Sequence, residues 1–382
     1  MLVGFVQYKD GEIPFALDKY RLELFSSNEQ VSEFAKACNH KTDYLLHGSL
    51  VDGGVISRSV TFLVERSMGG TCYLRCYVCS MLPTENVFDS IYFQSPVLDD
   101  VFRYKYEYLD QIRARENLAL KPKEIYNIPF SMNNRQYALV YRIGYDNRIG
   151  LLEDYKRDGE IAISLHTNSV QECYELSVVL SRLASFMTSR TEEAFKRISL
   201  YHQGKLAGWF FCPLVSEKTE SPYCGLFYDF TVMDYIPKVL NNIALDAGNM
   251  ITKSVPLGYL GNIDTMFSPQ RFMEQIMAFE YLYEKIDPKK AKDKGFPLKE
   301  ELTKMIDEFP ELLGNTQMTS SNISDQIKSI RNNIAHGHAY YYDFKNNPKE
   351  SYYMLLLDRL LKKMSLLVIG FSKEEIAKFP MV

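Results

Sequence analysis

The chain has 382 residues, 46% of them hydrophobic and 24% charged, with a formal net charge of −4. That length exceeds what one hydrophobic core usually serves, so two domains are expected. The composition excludes a collagen-like or disordered chain, and the slight acidity excludes a bulk nucleic-acid binder, so any RNA contact must be local.

The opening Met1-Leu-Val-Gly-Phe-Val-Gln-Tyr-Lys-Asp has no basic stretch and too short an apolar run for a signal peptide. No segment offers about 18 consecutive apolar residues, so no membrane span is expected. Seven cysteines, an odd number, fit free thiols in a reducing cytoplasm better than a disulfide framework.

The first two-thirds carry strand signals. Residues 1–8 and 13–25 read as strands around a turn at Asp10-Gly11, and 44–50 and 57–66 continue the pattern. Ser67-Met68-Gly69-Gly70 is a hairpin turn leading into a strand over 71–81. Strands are also expected at 135–143, 160–166, 194–202 and 206–213. Between them, Val170, Cys173, Leu176, Val179, Leu180, Leu183 and Phe186 recur every three or four residues, which predicts an amphipathic helix over 169–189.

Beyond about residue 229 the periodicity becomes helical. A helix is expected over Val232–Ala244, and Ser254-Val-Pro-Leu-Gly serves as an elbow. Ser268-Pro269 opens a helix over 268–286 as N-cap and first-turn proline. Lys289-Lys-Ala-Lys-Asp-Lys-Gly reads as a basic loop. Further helices are expected at 297–309, 321–336 (capped by Ser321 or Asn322), 349–369 and 372–379, the last with a capping box of Ser372 and Glu375. The fold class is therefore α+β: a β-rich mixed domain over 1–225, a helical connector over 226–258, and an all-α bundle over 259–382.

Chemistry concentrates in Arg331-Asn332-Asn333-Ile334-Ala335-His336-Gly337. Ile323, Ile327, Ile330 and Ile334 form the buried stripe of a helix. Asn332 and His336, four apart, share a face beside Arg331, near a glycine stop. A guanidinium suits a phosphate and the extra charge of its transition state, and an imidazole suits proton transfer at a ribose hydroxyl. A surface helix end with a cationic terminus accounts for the same residues.

His338 lies two residues on, either as a second proton-transfer group or as a solvated imidazole. Tyr340-Tyr341-Tyr342 could stack unpaired bases or pack on the 349–369 helix. Lys289 and Lys290, with Lys292 and Lys294, could contact an RNA backbone or form a solvated loop.

Cys72, Cys76 and Cys79 have the spacing of an iron–sulfur ligand set. They fall in an expected strand, where Cys72 and Cys76 would point to one face and Cys79 to the other, so buried free thiols are the preferred reading. No phosphate loop, serine-nucleophile elbow or His-Glu-x-x-His is present, and no metal or cofactor is expected.

Arg-Asn-x-x-x-His at a helix end within a C-terminal bundle resembles the motif of HEPN domains. The wording Ile-Arg-Asn-Asn-Ile-Ala-His-Gly, with Gln275-Ile-Met-Ala-Phe-Glu280-Tyr-Leu-Tyr upstream, looks like the ApeA-like HEPN branch. A β-rich first domain with Thr61-Phe62 in a strand before a hairpin is similar to the N-terminal domain of ApeA anti-phage proteins. The resemblance implies a metal-independent endoribonuclease of abortive infection, acting on structured RNA such as tRNA and restrained by its first domain until a phage-derived trigger acts. It implies catalytic roles for Arg331 and His336, with Asn332 at the polar second position and Glu280 as an acidic partner. It also implies a homodimer paired through the HEPN bundles. The alternative is an inert HEPN module used for dimerisation or nucleotide binding.

Overall fold

The computed structural model describes residues 1–39, 44–82, 87–102, 123–145, 157–188, 194–216, 235–245, 268–288, 297–314, 317–337 and 349–378. The chain is of mixed α+β class and divides into two compact units, residues 1–181 with 192–221, and residues 182–191 with 222–382.

Among the described residues the first unit is built on twelve strands: β1 Leu2–Tyr8, β2 Gly11–Asp18, β3 Arg21–Leu24, β4 Tyr44–Asp52, β5 Val55–Met68, β6 Thr71–Ser80, β7 Phe88–Gln94, β8 Lys123–Met132, β9 Arg135–Tyr145, β10 Arg157–Thr167, β11 Arg197–His202 and β12 Lys205–Phe211. Their order is β3-β2-β1-β4-β5-β6-β12-β11-β7-β10-β9-β8, with an added β3–β6 pairing. That pairing closes β1 to β6 into a six-stranded barrel. β6 forks: Thr71–Tyr73 pair with β3, and Tyr77–Ser80 pair with β12. From the fork a seven-stranded antiparallel sheet continues through β12 to β8.

Tight turns set this register. Gly53-Gly54, Gly69-Gly70, Asn133-Asn134 and Gln203-Gly204 all hold positive φ at both positions. That is the two-residue hairpin geometry matching the right-handed twist of paired strands. The expected strand over 13–25 is in fact two, because Lys19 adopts φ 52° and turns the chain between Asp18 and Arg21.

Side chains fill the barrel. Val6, Phe15, Leu22, Leu46, Val60, Phe62, Val64 and Leu74 lie in its core. Helix α1, Asn28–Asn39, adds Phe34 and Cys38, with Phe34 meeting Tyr8 edge-on at 5.1 Å and Tyr44 at 5.7 Å. Short barrels close only where strands approach tightly: a Cβ on Gly48 would stand 2.4 Å from the Phe5 carbonyl oxygen of the neighbouring strand.

The seven-stranded sheet buries Ile91, Phe93, Leu139, Tyr141, Ile161, Ile163, Ile198 and Leu200 on one face. Helix α2, Pro96–Phe102, packs there through Val97, Leu98 and Phe102. Helix α3, Val170–Thr188, follows the expected amphipathic stripe, and all seven residues of that stripe are buried. Its first turns are tied to β9: the Tyr137 hydroxyl donates to Glu172 at 2.7 Å, and Arg135 pairs with the same carboxylate. Burial pushes the Glu172 carboxyl up, but the hydrogen bonds from Tyr137, Thr167 and Arg135 outweigh it and leave it below its ordinary value.

The second unit is helical: α4 Ile236–Leu245, α5 Pro269–Ile286, α6 Leu298–Glu308, a 3₁₀ turn Pro310–Leu313, α7 Ser320–Ala335, α8 Lys349–Val368 and the single turn α9 Lys373–Ile376. Ser268 caps α5 by accepting from the Arg271 amide at 3.1 Å, with Pro269 at the first turn. The expected cap of α7 is corrected. Thr319, not Ser321 or Asn322, caps it by accepting the Asn322 amide at 3.2 Å, so both named residues lie inside the helix. Ser372 and Glu375 form a complete capping box. Helix α9 is one turn rather than the expected helix over 372–379, and 379–382 lie outside the described residues.

Helix α8 is the centre of the unit, buried on nearly all sides and packed on α5. Its buried charges are paired: Lys362 meets Asp358 at 2.7 Å and Lys363 meets Glu311 at 2.6 Å. Such pairs stabilise little by themselves, but losing one partner leaves a buried charge uncompensated. Helix α4 joins through the Asn242 amide, which donates to the Ile369 carbonyl at 2.6 Å, and through Lys238, which meets Glu375 at 2.9 Å. Among the described residues no helix is long and apolar enough to cross a membrane.

Candidate functional site at the end of helix α7

Helix α7 is oriented by its isoleucines. Ile323, Ile327 and Ile330 are buried, and Ile334 is half-buried as the helix emerges. That stripe turns the last turn outward, leaving Arg331 and Asn332 half-buried and His336 exposed. The helix stops where the motif ends. His336 is the C-cap, at φ −87° and ψ 6°, and its amide donates to the Asn332 carbonyl at 3.0 Å. Gly337 takes φ 68° and donates to the Ile334 carbonyl at 3.1 Å. A left-handed residue there closes the helix, and glycine adopts that conformation without steric cost.

Within this turn the Arg331 Nη1 donates to the Asn332 Oδ1 at 3.2 Å. Asn332 and His336 are one helical turn apart and neighbours on the surface. The Arg331 Nε is buried, and among the described residues no hydrogen-bond acceptor meets it. The guanidinium is thus held on one edge by an amide.

Glu280 is exposed on α5. The carboxyl of Glu301 on α6 is raised first by burial and then by the charge of Glu280. His338, Tyr340, Lys289 and Lys290 lie outside the described residues.

A groove of about 560 Å³ lies elsewhere on the unit, lined by Lys299, Glu300, Thr303, Lys304, Asp307, Glu308 and Ser321. Ser321 lies in the first turn of α7 and His336 ends it, about 22 Å away along the axis at 1.5 Å per residue. The groove is therefore separate from the motif, and its charges are largely matched, with Lys304 on Asp287 at 2.6 Å and Lys299 on Asp325 at 2.8 Å.

The three cysteines of the first unit do not follow simple alternation. The register passes from Leu63↔Cys76 to Val64↔Leu74, so Arg75 is an extra residue in β6. This bulge flips the side-chain parity, and Cys72 and Cys79 share the barrel core while Cys76 lies on the other face. The expected pairing of Cys72 with Cys76 is corrected accordingly. Burial pushes the Cys72 thiol up to about 11 and the Cys79 thiol up to about 12. Among the described residues no three His, Cys, Asp or Glu side chains are grouped to hold a metal ion.

No family model, curated protein or solved structure matches this chain.

Proposed function

We propose that the helical second unit is a HEPN-type endoribonuclease that cleaves RNA without a metal. The observation that carries this reading is the Arg331–Asn332 hydrogen bond one turn from an exposed His336 at the end of α7. Arg331 binds the scissile phosphate and stabilises the charge added in the transition state. His336 accepts the proton of the adjacent ribose 2′-hydroxyl, whose oxygen attacks phosphorus. The bond to the 5′-oxygen breaks, that oxygen takes a proton, and the products are a 2′,3′-cyclic phosphate and a 5′-hydroxyl. Asn332 positions the guanidinium. In this reading the protein is an abortive-infection effector acting on structured RNA such as tRNA, the first unit restrains it until a phage-derived trigger acts, and two chains pair through their HEPN bundles.

The direct test incubates purified protein with tRNA and with unstructured RNA in EDTA and analyses the ends of any fragments. Fragments ending in 2′,3′-cyclic phosphate are expected. Intact RNA under all conditions, together with expression that does not slow growth, would leave the inert dimerisation module as the better account.

A further inference from the structure

The face of the seven-stranded sheet opposite α2 and α3 carries a row set by register. Trp209, Ser199, Tyr92 and Ala162 lie side by side on β12, β11, β7 and β10. Directly paired residues project from the same face, and the buried Ile91 and Phe93 take the other, so Tyr92 stands opposite them, half-buried like Trp209, with the buried Ser199 between the two. Small side chains separate the large rings. Tyr201, two residues along β11 from Ser199, meets Tyr92 with ring centroids 4.4 Å apart.

Arginines frame the rings. The Arg58 guanidinium lies 4.8 Å over the Trp209 ring, and the Arg142 Nη1 donates to the Tyr92 hydroxyl at 3.0 Å while its Nη2 meets Glu124 at 3.0 Å. Arg58 and Arg197 are exposed, and among the described residues no carboxylate forms an ion pair with either. Half-buried rings with the unpaired cations Arg58, over one of them, and Arg197, on the same strand as Tyr201, are poor protein-core chemistry. They match a ligand with flat apolar faces on an anionic backbone.

We propose that this face binds single-stranded nucleic acid, with bases stacked on Trp209, Tyr92 and Tyr201 and phosphates held by Arg58 and Arg197. The site lies on the first unit alone and depends on no step of the cleavage chemistry. Arg142 is a positioning residue that orients Tyr92. Duplexes are excluded because their bases are already stacked and closed to the rings.

Trp209 is the only tryptophan of the chain, so its emission reports this face directly. The full-length protein is titrated at low salt with a twelve-residue oligothymidylate, which has no 2′-hydroxyl to react, and in parallel with an equal-length DNA duplex. Saturable quenching by the single strand, weakening as salt rises, is expected, with little response to the duplex. Arg58→Gln, at an exposed site, should weaken binding while leaving the circular dichroism spectrum unchanged. Tyr92→Ala should weaken it by roughly 5- to 150-fold, the worth of one stacked base. No quenching by the single strand, equal binding of the duplex, or unaltered affinity in both variants would overturn the proposal, whether or not the protein cleaves RNA. The first of these outcomes would leave the face to a protein partner.

Discussion

The Arg331 guanidinium is tied to the carboxamide of its sequence neighbour Asn332 at 3.2 Å, on the last turn of a helix whose C-cap is His336. Adjacent residues on a helix ordinarily point about 100° apart, so the long arginine side chain must lean toward its neighbour to make this bond. His336 follows one helical turn after Asn332, so these two residues share one surface of the helix end.

Arg331→Ala and His336→Ala should each lower RNA cleavage by roughly 100- to 10,000-fold, the range for losing charge stabilisation or acid–base catalysis. Both side chains sit outside the isoleucine stripe, so the melting temperature should stay close to wild type. Asn332→Ala frees the guanidinium without removing it and should cost less. The check is a single-turnover cleavage rate beside a thermal melt; a folded variant of either Arg331 or His336 cleaving near the wild-type rate would show the site to be misassigned.

Cleavage should persist in EDTA, since the proposed nucleophile is the ribose 2′-hydroxyl and both catalytic groups are side chains. A substrate with 2′-deoxyribose at the cleaved position should be inert. Loss of activity on chelation, restored by magnesium or manganese, would contradict the mechanism.

How much of this was legible in the sequence depended on the range of the interactions. Helix α3 was readable because apolar residues recur at helical spacing, and the caps at Ser268 and Ser372 were readable because capping is settled within four residues. The cap of α7 lies two or three residues before the expected Ser321 or Asn322 because Thr319, Ser320, Ser321 and Asn322 are all competent caps, and only the helix start decides among them. Barrel closure was not readable, since it rests on Arg21–Glu23 meeting Thr71–Tyr73 across nearly fifty residues. The aromatic face was also hidden: Trp209, Tyr92 and Tyr201 come together only through a strand order that jumps from β12 and β11 to β7. Arg331, Asn332 and His336 were readable as neighbours at one helix end, whereas Glu280 stands on a different helix, α5, where spacing along the chain says nothing of its distance from them.

The thiols should be inert. Cys38, Cys72, Cys76, Cys79, Cys173 and Cys212 are all buried thiols, and burial pushes Cys38, Cys173 and Cys212 up to about 12. A thiol reagent acts on the thiolate, so native protein at pH 8 should show no more than one rapidly reacting equivalent of its seven, and all seven after denaturation. The same shifts carry a sign for stability. These groups keep their protons in the folded chain after an unfolded chain has lost them, so stability should fall as pH rises above about 8.5. Two or more fast equivalents at pH 8, or bound iron in protein purified without air, would refute this account of the barrel core.

Gly48→Ala should destabilise the first unit by about 1–3 kcal/mol, the usual cost of forcing atoms into a packed site. The new methyl would meet the Phe5 carbonyl oxygen at 2.4 Å and the Val6 Cα at 3.1 Å, both backbone atoms of the paired strand β1 that cannot rotate away. A shift of the denaturation midpoint to lower urea, with little change in slope, is expected. An unchanged midpoint would mean that β1 and β4 are not paired in this register.

The final prediction is that the active unit is a homodimer paired at the end of α7. Transphosphorylation needs a group to take the 2′-hydroxyl proton and another to protonate the departing 5′-oxygen, and the motif supplies one histidine per chain, His336. A two-fold axis beside the motif would bring two copies of His336 and Arg331 into one cleft, so the same residue could fill both roles from opposite sides. It would also gather positive charge in a C-terminal region whose lysines and arginines only match its aspartates and glutamates in number. The competing arrangement is a monomer in which His338 provides the second proton transfer. Sedimentation fixes the mass, and mixing wild-type with His336→Ala chains separates the two. A shared cleft makes mixed dimers defective, so activity should follow the square of the wild-type fraction once chains have exchanged. A fully active species at monomer mass, or activity falling linearly with that fraction, would instead assign each cleavage to a single chain.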